Sequence, residues 1–172
     1  MPIENLKGRK VLDLGSNQGF FSLQAALAGA SEVTGIEITA PDVQAAEEIK
    51  KIMNLNNVNF INTDIIKYIE RSRDKYSLIV LNSVLHQIFP NFKHKSNKSL
   101  CDLFMKKLSR MTEILVLETP LNHKYMKLSP KEVQKKLRRL GFPWVRLLYI
   151  YDAYSTGYRA NYLCYTKQFP GC

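Results

Sequence analysis

Residues 11–22 read VLDLGSNQGFFS, and the fold turns on how this stretch is read. An apolar run holding one acid, Asp13, gives way to a loop with Gly15 and Gly19, and the loop opens into an apolar segment of helical character. Strand, tight turn and helix in immediate succession are how a parallel α/β unit begins. The strand is expected over Lys10–Leu14, the loop over Asp13–Gly19, and the helix over Phe20–Ala28, closed by Gly29.

The same alternation continues outward. A second strand is expected over Glu32–Ile38. It leads into a helix with Pro41 in its first turn, where a missing N–H costs nothing, and with Val43, Ala46, Ile49, Ile52 and Met53 at helical spacing. Val58–Asn62 reads as a third strand, Ile65–Ser72 as a helix, and Tyr76–Leu81 as a fourth strand whose SLIVL run suits burial on both faces. Residues 87–98 read as a polar, lysine-rich connection. Leu100–Met111 follows as a helix with Leu100, Leu103, Phe104, Leu108 and Met111 on one side, and Lys107 is the exception on that stripe. After a strand over Glu113–Glu118, Ser129 is placed to cap a helix with Pro130 at its first position, Glu132 three residues past the cap and Gly141 as the stop. Val145–Tyr151 and Asn161–Thr166 flank the turn signal Ser155-Thr156-Gly157 and form an antiparallel pair. Parallel returns need crossovers, so these elements predict an α/β, doubly wound, mostly parallel sheet with helices on both faces.

At 172 residues the chain is expected to be a single domain over residues 1–172, since such a length buries roughly 70% of its unfolded surface. Composition, 45% hydrophobic and 23% charged, excludes collagen-like, disordered and disulfide-scaffold classes. No apolar stretch approaches the roughly 18–20 residues of a membrane helix, and MPIENLKGRK lacks the regions of a secretory signal, so a cytoplasmic location is expected. Cys101, Cys164 and Cys172 have no metal-ligand spacing, and no metal site is expected. The net charge of +10 is concentrated. Residues 93–139 hold 13 of the 25 Lys/Arg but 4 of the 15 Asp/Glu. A one-sided basic segment favours a polyanionic partner such as nucleic acid, a phosphorylated glycan or an acidic membrane surface, or serves as a solvated face.

In a doubly wound sheet a ligand lies outside the carboxyl ends of the strands, where the first loop meets a helix. The loop offers Asp13, Gly15, Ser16, Asn17 and Gly19, followed by Phe20 and Phe21, and lacks both the GxGxxG fingerprint and the lysine of a P-loop. A carboxylate beside the loop repels a pyrophosphate and suits the cationic, amino-acid end of S-adenosylmethionine. Glu37, with Ile38 beside it, is placed to accept from both ribose hydroxyls, and Asp64 with Ile65 to read and cover the adenine. Taken singly, each acid can equally cap a helix, and a nicotinamide dehydrogenase is the rival reading of the loop.

These residues resemble the class I S-adenosylmethionine-dependent methyltransferases, whose first loop, ribose acid and adenine acid correspond to VLDLGSNQG, VTGIEI and INTDI. The resemblance implies a Rossmann-like sheet of seven strands with the last one antiparallel. Asn17 stands where many members carry a middle glycine. Strand one begins near residue 10, so the helical extension that often precedes it is expected to be missing, leaving an edge for a partner or another segment to cover.

The acceptor side is read from LNSVLHQ, residues 81–87, which brings Asn82, Ser83 and His86 to the methyl donor. His86 is the candidate general base or acceptor orienter, because imidazole titrates near neutral pH; a packed structural histidine is the alternative. SVLHQI, the basic helix after it and the strand ending in Leu-Glu loosely resemble the methyltransferase domain of bacterial O-antigen chain-terminating enzymes, which methylate a terminal phosphate on a polysaccharide. Gln87 stands where that family has a second histidine. Lys93 and Lys95 are candidates to guide an anionic acceptor, and Asp152 and Tyr154 to line the acceptor site. The expected reaction is O-methylation of a glycan, a phosphorylated glycan or a related metabolite. RNA methylation and a cofactor-binding, non-catalytic subunit are the alternatives.

Overall fold

A computed structural model describes residues 6–89, 95–121, 128–153 and 157–167. Its elements are β1 (Lys10–Leu14), α1 (Phe20–Leu27), β2 (Glu32–Glu37), α2 (Ala40–Ile52), β3 (Val58–Asn62), α3 (Ile65–Arg71), β4 (Tyr76–Leu81), α4 (Leu85–Ile88), α5 (Lys95–Met111), β5 (Thr112–Pro120), α6 (Pro130–Arg139), β6 (Trp144–Asp152) and β7 (Tyr158–Tyr165). The seven strands form a mixed sheet in the order β3-β2-β1-β4-β5-β7-β6. This is the predicted Rossmann-like α/β fold, with β7 antiparallel to both β5 and β6. Contacts group the chain into two compact units, Met1–Val80 and Leu81–Cys172.

In the first unit β1 pairs in parallel with β2 and β4, and β2 with β3. Val11, Leu12 and Leu14 are buried on both faces of β1, which explains its near-continuous apolar sequence. The ring of Phe60 on β3 fills the space beneath the first loop. A Cβ at Gly19 would lie 2.6 Å from Phe60 Cζ, and one at Gly35 on β2 would lie 2.6 Å from Phe60 Cδ1. Gly19 also holds φ +86°. Two glycines therefore admit one aromatic ring, and the loop closes down on it.

In the second unit the antiparallel β5–β7–β6 ribbon buries Leu115, Val116 and Leu117 of β5 and Tyr162 and Cys164 of β7. Ser129 caps α6 in a reciprocal capping box with Glu132, Pro130 opens the helix, and Gly141 lies just beyond its end at φ +104°, as the sequence pattern required.

Two expectations need correction. The polar connection is shorter than read, because α5 starts at Lys95 and not at Leu100. No Gly or Pro interrupts residues 95–99, and lysine is a good helix former, so the helix runs back through them. Its buried stripe is Cys101, Phe104, Met105, Leu108 and Met111, while Leu100 and Leu103 are 54% and 63% exposed. The lysine on the expected stripe marked the wrong face. The single turn α4 had no periodic signal at all.

The Phe60 packing predicts a graded cost. Gly19→Ala adds overpacking to left-handed strain and should destabilise the chain by about 2 kcal/mol or more. Gly8→Ala, at φ +74° with nothing within 4 Å, adds strain alone and should cost about 1 kcal/mol. Urea unfolding of both variants checks this, and equal midpoints would contradict the packing account.

Candidate functional site

The first loop is built from the inside. Gly15 N–H and Ser16 N–H both donate to Ile36 O, at 2.8 and 3.0 Å, and Gly19 N–H donates to Ser16 O at 2.8 Å. Asn17 N–H donates to Glu37 Oε2 at 3.0 Å, and Gln18 N–H to Asn17 Oδ1 at 2.8 Å. All five loop amides from Gly15 to Gly19 are thus committed within the protein. A phosphate cradle works by pointing such amides at the ligand, and this loop cannot do so. Asn17 has φ +48°, so the residue at the middle-glycine position takes the left-handed turn itself, which asparagine tolerates better than most residues.

Glu37, buried at the end of β2, accepts from Ile38 N–H at 2.8 Å and Thr39 N–H at 2.9 Å on Oε1, besides Asn17 N–H on Oε2. By lone-pair count Oε1 is filled and Oε2 retains room for one further donor. Asn62, which the sequence reading passed over, donates from Nδ2 to Glu37 O at 3.0 Å and to Ile38 O at 2.9 Å, fixing the ends of β2 and β3 together. A polar residue closing an apolar-alternating strand was the available signal.

Asp13 is 2% exposed, and its Oδ2 accepts from Ser22 Oγ at 2.7 Å. It also accepts the Ser22 backbone N–H. Gly19, the N-cap of α1, has no side chain to satisfy the amide three residues on; Asp13 performs that capping from the neighbouring strand. Burial is the main cause that pushes its carboxyl up to about 6, with nearby Glu37 adding to the rise and the Ser22 bonds opposing it. Asp64 is a conventional N-cap, with Oδ1 accepting from Lys67 N–H at 2.9 Å. Both acids therefore do the capping work that the bland reading assigned them, and Ile65 is buried behind Asp64.

The surface around the loop is apolar. Ile38 is 66% and Phe20 67% exposed, and Phe20 meets Phe21 edge-on at 5.2 Å. Ser16 Oγ is buried with no hydrogen-bond partner among the described residues. An adenosyl group fits this set: an apolar platform, one carboxylate oxygen with room for a hydroxyl, an unsatisfied hydroxyl, and amides turned away from any phosphate.

The second unit holds its own polar cluster. Ser83, with φ +57°, donates to Glu118 Oε1. Arg159 Nη1 donates to Ser83 Oγ at 2.9 Å and to Glu118 Oε1 at 3.1 Å, and the Tyr151 hydroxyl donates to Glu118 Oε2 at 2.7 Å. Burial and that bond push the Tyr151 hydroxyl up to about 12. Glu118, Arg159 and Tyr151 were not among the expected site residues, although Glu118 shows the signal used for the other acids, a carboxylate near a strand's carboxyl end. Asn82 Oδ1 is buried without a partner among the described residues, and His86 is half-buried on α4. Asp152 is exposed at the end of β6 and paired across the ribbon with Tyr158. Lys93 and Tyr154 lie outside the described residues, as does the side chain of Lys95, whose backbone opens α5.

A family model described as a methyltransferase domain matches residues 5–149. The ribosomal protein L11 methyltransferase of Lactobacillus gasseri is 34% identical over 96 residues, 54% of this chain and 30% of that protein. Among solved structures, WbdD superposes with a TM-score of 0.76 at 23% identity, covering 92% of this chain and 36% of that one. Magnesium protoporphyrin IX methyltransferase from Synechocystis PCC 6803, solved with bound S-adenosylmethionine, superposes at 0.70 and 20% identity, covering 95% and 72%. The chain thus spans about a third of the length of the first two.

Asp13 gives the apo protein a pH signature. Its folded pKa lies above the unfolded value, so the folded state holds the proton more tightly and the fold loses stability as pH rises from about 4 through 6. The two-unit shift corresponds to about 3 kcal/mol. Asp13→Asn cannot titrate, so its stability relative to the parent should rise by up to that amount between pH 4 and 7. Unfolding curves at both pH values test this, and a pH-independent difference would remove Asp13 as the titrating group.

Proposed function

The chain belongs to the methyltransferase-domain family, an S-adenosylmethionine-dependent enzyme domain, and from that premise we propose that it methylates an oxygen on a glycan, a phosphorylated glycan or a related metabolite. The inward commitment of all five loop amides carries the cofactor side of this reading, because it leaves the first loop suited to an adenosyl group and unsuited to pyrophosphate. Bound cofactor supplies an activated methyl group on a sulfonium centre.

The chain's own residues then divide the work. Glu37 Oε2 takes a ribose hydroxyl, Ile38 and Phe20 cover the adenosyl group, and Asp13 supplies a negative charge that a cationic ligand offsets. Asp64 uses one carboxylate oxygen for its cap and keeps the other for the adenine edge. Asn82 and Ser83 would lie beside the methyl-donor end of the cofactor, and the His86 imidazole would orient the acceptor or take its hydroxyl proton. Metal-free transfer of this kind is mainly alignment, which can supply several kcal/mol of barrier reduction. Lys93 and Lys95 would draw in an anionic acceptor, and Asp152 and Tyr154 would border it.

A second reading, RNA as acceptor, is favoured by one observation. Lys131, Lys135, Arg138 and Arg139 all lie exposed on α6, and Lys136 of α6 is bonded to Asp102 of α5 at 2.8 Å, so α5, with exposed Lys106, extends the basic layer. Filter binding of mixed RNA across a salt series separates the two readings. A steep salt dependence together with labelled RNA product supports RNA; a flat response with methylated glycan phosphate supports the first.

His86→Ala should lower turnover roughly 100-fold or more, the usual range for loss of a general base, while calorimetry shows S-adenosylhomocysteine affinity retained. Transfer of a tritiated methyl group measures the first quantity. Undiminished turnover would remove the imidazole from the reaction.

A further inference from the structure

The turn after β4 adopts an unfavourable conformation that something must hold. Ser83 is in the left-handed region, which L-residues other than Gly, Asn and Asp seldom enter. Immediately after it comes α4, a four-residue helix, too short to be stable on its own because helix nucleation is unfavourable. What organises α4 is the turn itself. Ser83 O accepts from Gln87 Nε2 at 3.1 Å, and Val84 O accepts from the N–H groups of Gln87 and Ile88 at 2.8 and 3.0 Å. If Ser83 left its conformation, these carbonyls would move and α4, carrying His86, would lose its start.

Glu118 is the group that holds Ser83. It lies on the long strand β5, 7% exposed, with both carboxylate oxygens engaged: Ser83 and Arg159 on Oε1, Tyr151 on Oε2. Arg159 reaches the same Ser83 hydroxyl from β7, so the serine is gripped by a buried acid and a half-buried base at once. A buried ion pair contributes little net stability against an apolar pair of similar volume, and its best-attested use is to select one arrangement over others. Here the arrangement selected is the turn.

We propose that Glu118 is a positioning residue: through Arg159 and the Ser83 hydroxyl it locks the left-handed turn after β4, and so fixes α4 and the place of His86. The proposal rests on the reading of His86 as an acceptor-side group, but its test needs no acceptor. Amide hydrogen exchange at Gln87, Ile88 and Phe89, whose N–H groups bond within this turn, reports the lock directly. Glu118→Gln should speed exchange at these three amides roughly tenfold relative to those of β5 and β7, and shift the His86 ring resonances in NMR. Adding Ser83→Gly to Glu118→Gln should return much of the protection, because glycine takes the left-handed turn without a holder. Tyr151→Phe removes one hydrogen bond while the carboxylate remains, and should give a smaller change in the same direction, which keeps the test open if Glu118→Gln does not fold.

Exchange that is unchanged at residues 87–89, or that rises evenly across β5–β7, or that the glycine fails to rescue, would overturn the proposal. The two claims fail separately. Full turnover in His86→Ala removes the base and leaves the lock standing, whereas unshifted His86 resonances in Glu118→Gln remove the lock and leave the base standing.

Discussion

A helix that begins on a glycine has no side chain of its own to satisfy its first amides, and α1 borrows one. Asp13 reaches from β1 to the hydroxyl and the N–H of Ser22, and the first loop takes its shape from that reach. Gly19 must be a glycine because Phe60 lies against it, so the cap has to come from elsewhere. Strand, loop and helix are thereby joined through one buried carboxylate. The cost is a charge held away from water, visible in the raised pKa of Asp13, and a cationic ligand is the natural partner for it.

Glu37 extends the same logic by one strand. Its carboxylate gathers amides from the first loop and from the chain after β2, so the edge of the candidate site is preorganised by the protein's own backbone. Such a site loses little entropy in ordering itself when ligand arrives. The second unit has a parallel device in Glu118, again a buried acid near a strand end that gathers donors from neighbouring elements. In the first unit the acids restrain a loop and a helix start; in the second the acid restrains a turn and a one-turn helix.

The family model spans residues of both units, whereas the match to the L11 methyltransferase covers 96 residues of a longer protein. Structural likeness at 20–23% identity speaks to the fold.

Local sequence was sufficient for most of the architecture. The first four strands, the capping box at Ser129 and Glu132 and the antiparallel closing pair were legible because burial on both faces, cap chemistry and turn residues act over a few neighbouring positions. The acids at strand ends were legible for the same reason. What they do was not: whether Asp13 faces a ligand or Ser22 depends on a neighbour 9 residues away, how many lone pairs Glu37 keeps on one 20 residues away, and which face of α5 is buried on the elements packed against it. The Ser83–Glu118–Arg159–Tyr151 cluster is the extreme case, joining residues up to 76 positions apart. No local pattern encodes such a contact, because it is set by which strands the sheet places side by side.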